Sequence, residues 1–145
     1  MTSTLEALQT TLAGEHAAVW VFGTLGGQTS AADQPGLFAA VTRSYVVHRS
    51  RRDQLIRAVR DLGVEPVASA VAYALPNDLA TPARVTAAAR ETEHRAVAGY
   101  ADLVASTYAD QREWAIEALT DSAVRELGFR GSPEIFPGIA ELTDR

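Results

Sequence analysis

The sequence predicts an all-α protein in which four long helices form a bundle with one long crossover between helices two and three. Apolar residues recur at spacings of three and four in four segments, and helix-capping and helix-ending residues bound these segments. The connections are short within each pair of helices and about 17 residues long between the pairs. The 145-residue chain therefore fits one domain, residues 1–145, with room for a core.

Start and stop signals place the first two helices. The first helix is expected from about Thr4 to Leu25, because Ser3 and Glu6 have the spacing of a capping box. The second helix is expected to begin at Pro35, which suits a first-turn position, and to close at Gly63. The first two helices should therefore form an antiparallel pair.

The same signals place the second pair of helices. The third helix is expected from Thr81 to about Tyr108. The fourth is expected to start with Asp110 and Glu113, which have capping-box spacing, and to stop at Gly128. The turn-rich tail is expected to dock on the bundle through three apolar residues: Ile135, Phe136 and Ile139.

The segment between helices two and three decides the topology. Residues 64–80 contain two prolines and alternate apolar with small residues, so they should be extended. A helix of about 28 residues is about 42 Å long, and an extended segment of about 17 residues reaches roughly 56 Å. The crossover can therefore run the length of the bundle and start helix three parallel to helix two. One long crossover between two helical hairpins is the ferritin-like arrangement.

Composition and charge exclude several classes of protein. The net charge of −5 argues against a nucleic-acid binder. The absence of cysteine excludes disulfides, thiolate nucleophiles and cysteine-ligated metals. The N-terminus lacks the basic region of a signal peptide, and the apolar run from Ala17 to Gly27 is too short to span a bilayer. The protein is expected to be soluble and cytoplasmic, with no membrane partner.

Polar residues interrupt the predicted buried stripes. Glu15 is the single charged member of the stripe on helix one, and Glu93 lies on that of helix three. The stripe of helix two passes through Tyr45, His48 and Arg52. On helix four the predicted apolar edge has polar neighbours: Ile116, Leu119, Ala123 and Leu127, beside Glu117, Thr120 and Asp121.

A short internal repeat supports the pairing of the helices. The segment "EHAAV" at residues 15–19 recurs as "EHRAV" at residues 93–97, mid-helix on the first helix of each hairpin. An internal duplication of a two-helix unit would produce this placement. His16 and His94 lie about 100° from the stripes, so both are expected at helix edges or on the surface.

These features resemble the ferritin-like superfamily. The whole chain is most similar to an uncharacterised actinobacterial ferritin-like domain of unknown function, notably in "LQTTLAGEHAAVWVFG", "HRSRRD", "YALP" and "ALTDSAV". The resemblance implies a bundle whose metal-binding members use one Glu from each of two helices and Glu-x-x-His from the other two. Glu15 and Glu93 match the single-Glu positions, and His48 matches a histidine of that pattern.

Other positions depart from the metal-binding pattern. Tyr45 stands where helix two should carry a glutamate, and Thr120 stands where the motif that begins at Glu117 should end in histidine. Arg52 or Arg51 lies close by, and an arginine opposes the binding of two dications. We therefore predict a metal-free polar core, in which this arginine and His48 balance the carboxylates and the Tyr45 hydroxyl donates to one of them.

The favoured function is a non-catalytic ferritin-like structural or interaction domain, and no catalytic residue is predicted. Its candidate binding residues are Glu15, Tyr45, His48, Arg52, Glu93 and Glu117. One alternative is a degenerate di-iron-type or mononuclear protein that binds iron or manganese through Glu15, His48, Glu93 and Glu117. Another alternative is small-anion binding at Arg51 and Arg52.

A homodimer is predicted from three apolar residues off the main stripes. Trp20, Val46 and Val47 either form a dimer face or cover the crossover. No nucleic-acid partner is expected, and the sequence does not identify a protein partner.

Overall fold

The computed structural model describes residues 2–130 of the chain. Within them lie four helices, α1 (Thr4–Gln28), α2 (Pro35–Asp61), α3 (Pro82–Ser106) and α4 (Ala109–Arg130), and no strand. The predicted all-α four-helix class is confirmed.

Local signals start the first three helices as predicted, but two ends differ. α1 continues through Gly26 and Gly27 to Gln28 instead of stopping at about Leu25, because a helix tolerates glycine at a cost of about 1 kcal/mol. α3 ends at Ser106, short of Tyr108. The Ser3 hydroxyl accepts a hydrogen bond from the Glu6 N–H, and the Ser3 N–H donates to the Glu6 carboxylate, which completes the capping box. Pro35 occupies the first turn of α2, and Gly63 follows its end with φ at +74°. Glycine adopts that left-handed conformation without steric cost. The Thr81 side chain caps α3.

The fourth helix differs from the prediction at both ends. It begins at Ala109, whose φ is +49°, and it continues past Gly128 to Arg130. Asp110 lies in the first turn, where a carboxylate interacts favourably with the helix dipole, and is not the cap residue. The tail residues that were predicted to dock lie outside the described residues: Ile135, Phe136 and Ile139.

Two core clusters at opposite ends of the bundle set the helix directions. The first joins the start of α1 to the ends of α2 and α3: Leu8, Leu12, Leu55, Val59 and Leu103. The second joins the end of α1 to the starts of α2 and α3: Phe22, Leu25, Val41 and Val85. In α4, Ala115 and Ala118 belong to the first cluster, and Phe129 packs against the second. α2 and α3 are therefore parallel, and each is antiparallel to α1 and α4.

The crossover follows α1 as an extended segment. Residues 64–80 form neither helix nor strand. The Gln9 side chain pairs with its backbone in both directions: Nε2 donates to the Glu65 carbonyl at 2.8 Å, and Oε1 accepts from the Val67 N–H at 2.8 Å. The crossover is therefore held by the same kind of paired hydrogen bonds that hold neighbouring strands.

Two ring side chains of α1 also contact the crossover. His16 Nε2 lies 3.0 Å from the Val67 carbonyl oxygen, and this contact leaves His16 buried rather than on the surface. The ring of Trp20 packs against the ring of Tyr73, with centroids 6.2 Å apart. Trp20 therefore covers the crossover and is not part of an open dimer face.

None of these helices, over residues 2–130, combines the length and the apolar character that crossing a bilayer requires.

Candidate functional site

The buried stripe of α2 determines which polar side chains enter the bundle. It consists of Val41, Ser44, His48, Arg51, Leu55 and Val59. The stripe includes Ser44 and Arg51. The sequence pattern predicts Tyr45 and Arg52 in their place. Both assignments keep spacings of three and four, because neighbouring residues differ by only about 100° around the helix.

Glu15, His48 and Glu93 meet at the centre of the bundle, as predicted. His48 and Glu93 are fully buried, and Glu15 is 2% exposed. His48 Nδ1 lies 2.6 Å from Glu15 Oε2, a hydrogen-bonded ion pair. His48 Nε2 lies 3.3 Å from Glu93 Oε2, and within residues 2–130 neither of those two atoms has an aligned hydrogen bond. The imidazole therefore lies between two carboxylates. One of its faces stacks on the ring of Phe22, with the ring centroids 5.3 Å apart.

The two carboxylates keep the histidine charged. Burial would lower the pKa of His48, but the hydrogen bond with Glu15 and the negative charges of Glu15 and Glu93 together outweigh it and raise the pKa to about 9. Burial would raise the pKa of Glu93, but His48 and Arg125 together lower it to about 2. At neutral pH the site holds an imidazolium and an ionised Glu93.

A second part of the network runs from Glu93 to α2 through α4. Arg125 Nε donates to Glu93 Oε1 at 2.8 Å, and Arg125 Nη1 donates to Asp121. Arg51 Nη2 donates to the same Asp121 carboxylate at 2.6 Å, and Arg51 Nη1 donates to Ser122 Oγ at 2.7 Å. Arg51 is only 5% exposed. Arg51 is therefore the inward-facing arginine of α2.

Tyr100 completes the hydrogen bonding of Glu15. Its hydroxyl donates to Glu15 Oε1 at 2.6 Å, and its ring lies 5.1 Å from the Arg51 guanidinium carbon. Burial, with the Glu15 charge, raises the pKa of Tyr100 well above its usual value, so the hydroxyl stays a donor. The predicted role of Tyr45 thus belongs to Tyr100, and Tyr45 lies half-buried under Arg49.

Two other predicted site residues lie outside the network. Arg52 pairs with its neighbour Asp53, Nη2 to Oδ1 at 2.8 Å, because the turn of α2 that brings Arg51 inward points Arg52 elsewhere. Glu117 is exposed on α4. The prediction that Arg52 and Glu117 belong to the polar core is wrong.

The buried face of α4 also differs from the predicted apolar edge. Ile116 is 48% exposed and Leu127 is 37% exposed. The buried residues are small or polar: Ala115, Ala118, Ser122 and Glu126. The recurrence of alanine and serine at spacings of three and four was the available signal for this face. It would also have placed Arg125 beside the core, one turn beyond Asp121.

The two copies of the short repeat place their glutamates alike. Glu15 and Glu93 both point into the network. The histidines that follow them have different partners, and His16 contacts the Val67 carbonyl of the crossover. His94 Nδ1 lies 3.1 Å from Glu126 Oε1. The duplication itself stays a prediction.

The network is balanced in charge. Within residues 2–130 it contains the carboxylates of Glu15, Glu93 and Asp121 and the cations of His48, Arg51 and Arg125. Buried charges are tolerated only when they are paired and hydrogen-bonded. All four helices contribute a member, so the arrangement crosslinks the bundle.

These residues do not fit the two-metal site of ferritin-like proteins. His48 presents different ring edges to Glu15 and Glu93, so the two carboxylates do not converge on one point with a histidine nitrogen. The Arg125 guanidinium occupies the other oxygen of Glu93. Within residues 2–130, no group of three or more His, Asp or Glu side chains is arranged to hold a metal ion.

A narrow cleft between α1 and α3 reaches the network from outside. Its volume is about 140 Å³, and its walls are mostly small residues, including Gly14, Ala17 and Gly99. Glu15 and Tyr100 lie among its lining residues. Both Glu15 oxygens are already engaged, one by Tyr100 and one by His48.

Comparisons with known proteins agree with this fold. A family described as a domain of unknown function, DUF4439, matches residues 7–141. The crystal structure of a conserved hypothetical protein, Rv2844, from Mycobacterium tuberculosis is similar, with a TM-score of 0.79 and 29% sequence identity over 86% of this chain and 92% of that one. No curated protein matches the sequence significantly. These similarities identify a family and a fold but no activity.

Proposed function

The chain belongs to the DUF4439 family of domains of unknown function, and we propose that it is a non-catalytic structural and interaction domain of the ferritin-like type. In this proposal the ion-pair network takes the place of the metal ions of the metal-binding ferritin-like proteins. The observation that carries the proposal is the 2.8 Å contact between Arg125 Nε and Glu93 Oε1. It supplies to a buried carboxylate the positive charge that a metal would otherwise supply.

The protonation state of His48 supports the same conclusion. An imidazolium has no free nitrogen lone pair, so it accepts no proton, and a metal ion could bind it only by displacing the proton that it holds. Because the pKa of His48 is raised to about 9, that form dominates at neutral pH. The central side chains are also at most 2% exposed, and both oxygens of Glu15, which the cleft between α1 and α3 reaches, are already hydrogen-bonded.

The alternatives have weaker support. A degenerate metal site needs Glu117 near Glu93, and Glu117 is exposed on α4. Anion binding at the arginines of α2 needs a free guanidinium. Arg51 donates to Asp121, Ser122 and the Ala118 carbonyl, and Arg52 pairs with Asp53. As a further part of the proposal, the domain acts in the cytoplasm through protein contacts.

Metal analysis of the purified protein tests this proposal. Protein purified without chelators should contain far less than one equivalent of iron, manganese or zinc. A chelator should leave the melting temperature unchanged, and each added metal should fail to raise it. A metal that bound the native state would stabilise it by mass action. Stoichiometric metal together with a chelator-induced fall in melting temperature would overturn the proposal.

A further inference from the structure

Side-chain contacts between α2 and α4 set the relative heights of these antiparallel helices. Trp114 Nε1 donates to Gln54 Oε1 at 2.9 Å, and Arg51 pairs with Asp121 at 2.6 Å. Both helices rise about 1.5 Å per residue. Counting outward from the two contacts places Arg57 level with Glu113, near one end of the bundle. The same count places Val46 level with Val124, near the middle of α2.

The outer sides of these two helices carry opposite charges, and we call them together the α2–α4 face. On α2, the face contains exposed residues on the same side as Gln54: Arg43, Val46, Ser50, Arg57 and Asp61. On α4, it contains exposed residues on the same side as Trp114 and Asp121: Asp110, Glu113, Glu117 and Val124. The α2 half thus has two arginines and one aspartate, an excess of one positive charge, whereas the charged residues of the α4 half are all acidic.

The residues of this face are free to contact another molecule. Val46 is 57% exposed and Val124 is 61% exposed, which is unusual for aliphatic residues at mid-helix. Within residues 2–130, neither Arg57 nor Glu113 has an ion-pair partner. The face therefore combines unpaired charges of both signs near one end with an exposed apolar pair nearer the middle.

We propose that the α2–α4 face binds a second copy of this chain about a two-fold axis parallel to the helices. Such an axis places α2 of one copy on α4 of the other without changing their heights. Arg57 then meets Glu113 of the second copy, and Val46 meets Val124 of the second copy. Every contact occurs twice, because the interface of a two-fold dimer is self-complementary.

Charge complementarity selects this partner and this axis. A two-fold axis across the helices would set α2 against α2 and bring arginines together, which is unfavourable. The axis along the helices brings Arg57 to Glu113 and Val46 to Val124, and it closes after two copies. The inference rests on the proposed function, since it identifies the contact that an interaction domain makes. Val46 belongs both to the predicted dimer face and to this interface. Trp20 does not belong to the interface, because it packs against the crossover.

A charge swap tests the ionic end of the interface. Arg57→Glu and Glu113→Arg should each weaken dimerisation by more than about tenfold in sedimentation equilibrium, because each change creates two like-charge pairs per dimer. The double variant, with both changes in one chain, should restore the wild-type dimer. Arg90→Glu is the matched control, because it makes the same change of charge at an exposed position on α3 and should leave dimerisation unaffected.

A second pair of variants tests the contact between Val46 and Val124 of the second copy. Val124→Glu should weaken the dimer because it sets a carboxylate against Val46 of the second copy. Val71→Glu makes the same substitution at a fully exposed crossover position and should not. Circular dichroism and melting temperature show whether each variant is folded, so loss of the dimer is not mistaken for loss of the fold.

Three results would overturn the inference. They are a wild-type protein that stays monomeric at high concentration, a dimer unaffected by either charge reversal, and a swap that fails to restore binding. A monomer without bound metal would refute this interface and leave the proposed function intact. A metal-loaded protein with the predicted dimer would refute the metal-free proposal and leave the interface intact.

Discussion

Arg125 Nε donates to Glu93 Oε1 at 2.8 Å and joins α4 to α3 where Glu93 is fully buried. Glu93→Gln should lower the free energy of unfolding by about 3–5 kcal/mol, because it removes the buried negative charge that Arg125 and His48 share. Arg125→Met should have an effect of similar size for the converse reason. The double variant removes one charge of each sign, so it should recover much of the loss. Urea denaturation followed by circular dichroism measures all three.

A surface pair provides the control for this cycle. Arg52→Met removes an arginine from the same bundle, but Arg52 pairs with the half-buried Asp53. The loss should stay below about 1 kcal/mol, as for other solvent-exposed pairs. Additive effects of Glu93→Gln and Arg125→Met would mean that the two residues do not stabilise each other.

Stability should fall at alkaline pH because of His48. Its pKa is 6.5 in the unfolded chain and about 9 in the folded protein, so the native state binds the proton more tightly. The stabilisation is fully present below pH 6.5 and is lost as the pH rises through 9. The shift corresponds to roughly 3 kcal/mol. Urea midpoints at pH 6, 7.5 and 9 should therefore decrease in that order, and His48→Gln should flatten the decrease.

Stability should also fall at acid pH because of Glu93. Its pKa is 4.5 in the unfolded chain and about 2 when folded, so its contribution is present above pH 4.5 and is lost as the pH falls towards 2. In the Glu93→Gln/Arg125→Met double variant this part of the acid transition should be reduced. An acid limb identical to that of the wild type would contradict the assignment.

The hydroxyl of Tyr100 can be removed without changing the volume of the core. Tyr100→Phe should destabilise the protein by about 1–3 kcal/mol, because Glu15 Oε1 loses a buried donor at 2.6 Å. Tyr45→Phe is the matched control on α2 and should have little effect. The reverse ranking of the two variants in urea denaturation would show that Tyr45, not Tyr100, supports the carboxylate.

The crossover should loosen when Gln9 is shortened. Gln9→Ala removes both hydrogen bonds to the backbone of Glu65 and Val67. Amide hydrogen exchange should accelerate at Val67, whose N–H loses its acceptor, while the central turns of the helices keep their protection. Gln28→Ala, at the exposed end of α1, should leave the crossover amides unchanged. Unaltered exchange at Val67 in Gln9→Ala would show that other contacts hold the segment.

The helices and their order were predictable because their signals are local. A capping box such as Ser3 with Glu6, and a glycine at a left-handed position such as Gly63, act within a few residues of one helix end. The path of residues 64–80 followed from the length of that segment compared with the length of a helix. Burial of Glu15, His48 and Glu93 also followed from the pattern, since each lies mid-helix on a predicted stripe.

The rotation of each helix was not predictable from spacing. Arg51 and Arg52 both fit the stripe of α2, and Asp121 and Ser122 on another helix decide between them. The role of Arg125 was not predictable, because a charged residue on a weakly amphipathic helix is normally expected at the surface. The acceptor that brings it inward is Glu93, on another helix.

The two helical hairpins divide the network charges unequally. The hairpin of α1 and α2 contributes Glu15 with His48 and Arg51, an excess of one positive charge. The hairpin of α3 and α4 contributes Glu93 and Asp121 with Arg125, an excess of one negative charge. A hairpin that separated would therefore expose its own surplus charge and leave the opposite surplus in the other half. Partial opening is penalised on both sides, so the bundle should unfold as one cooperative unit in which neither hairpin persists alone.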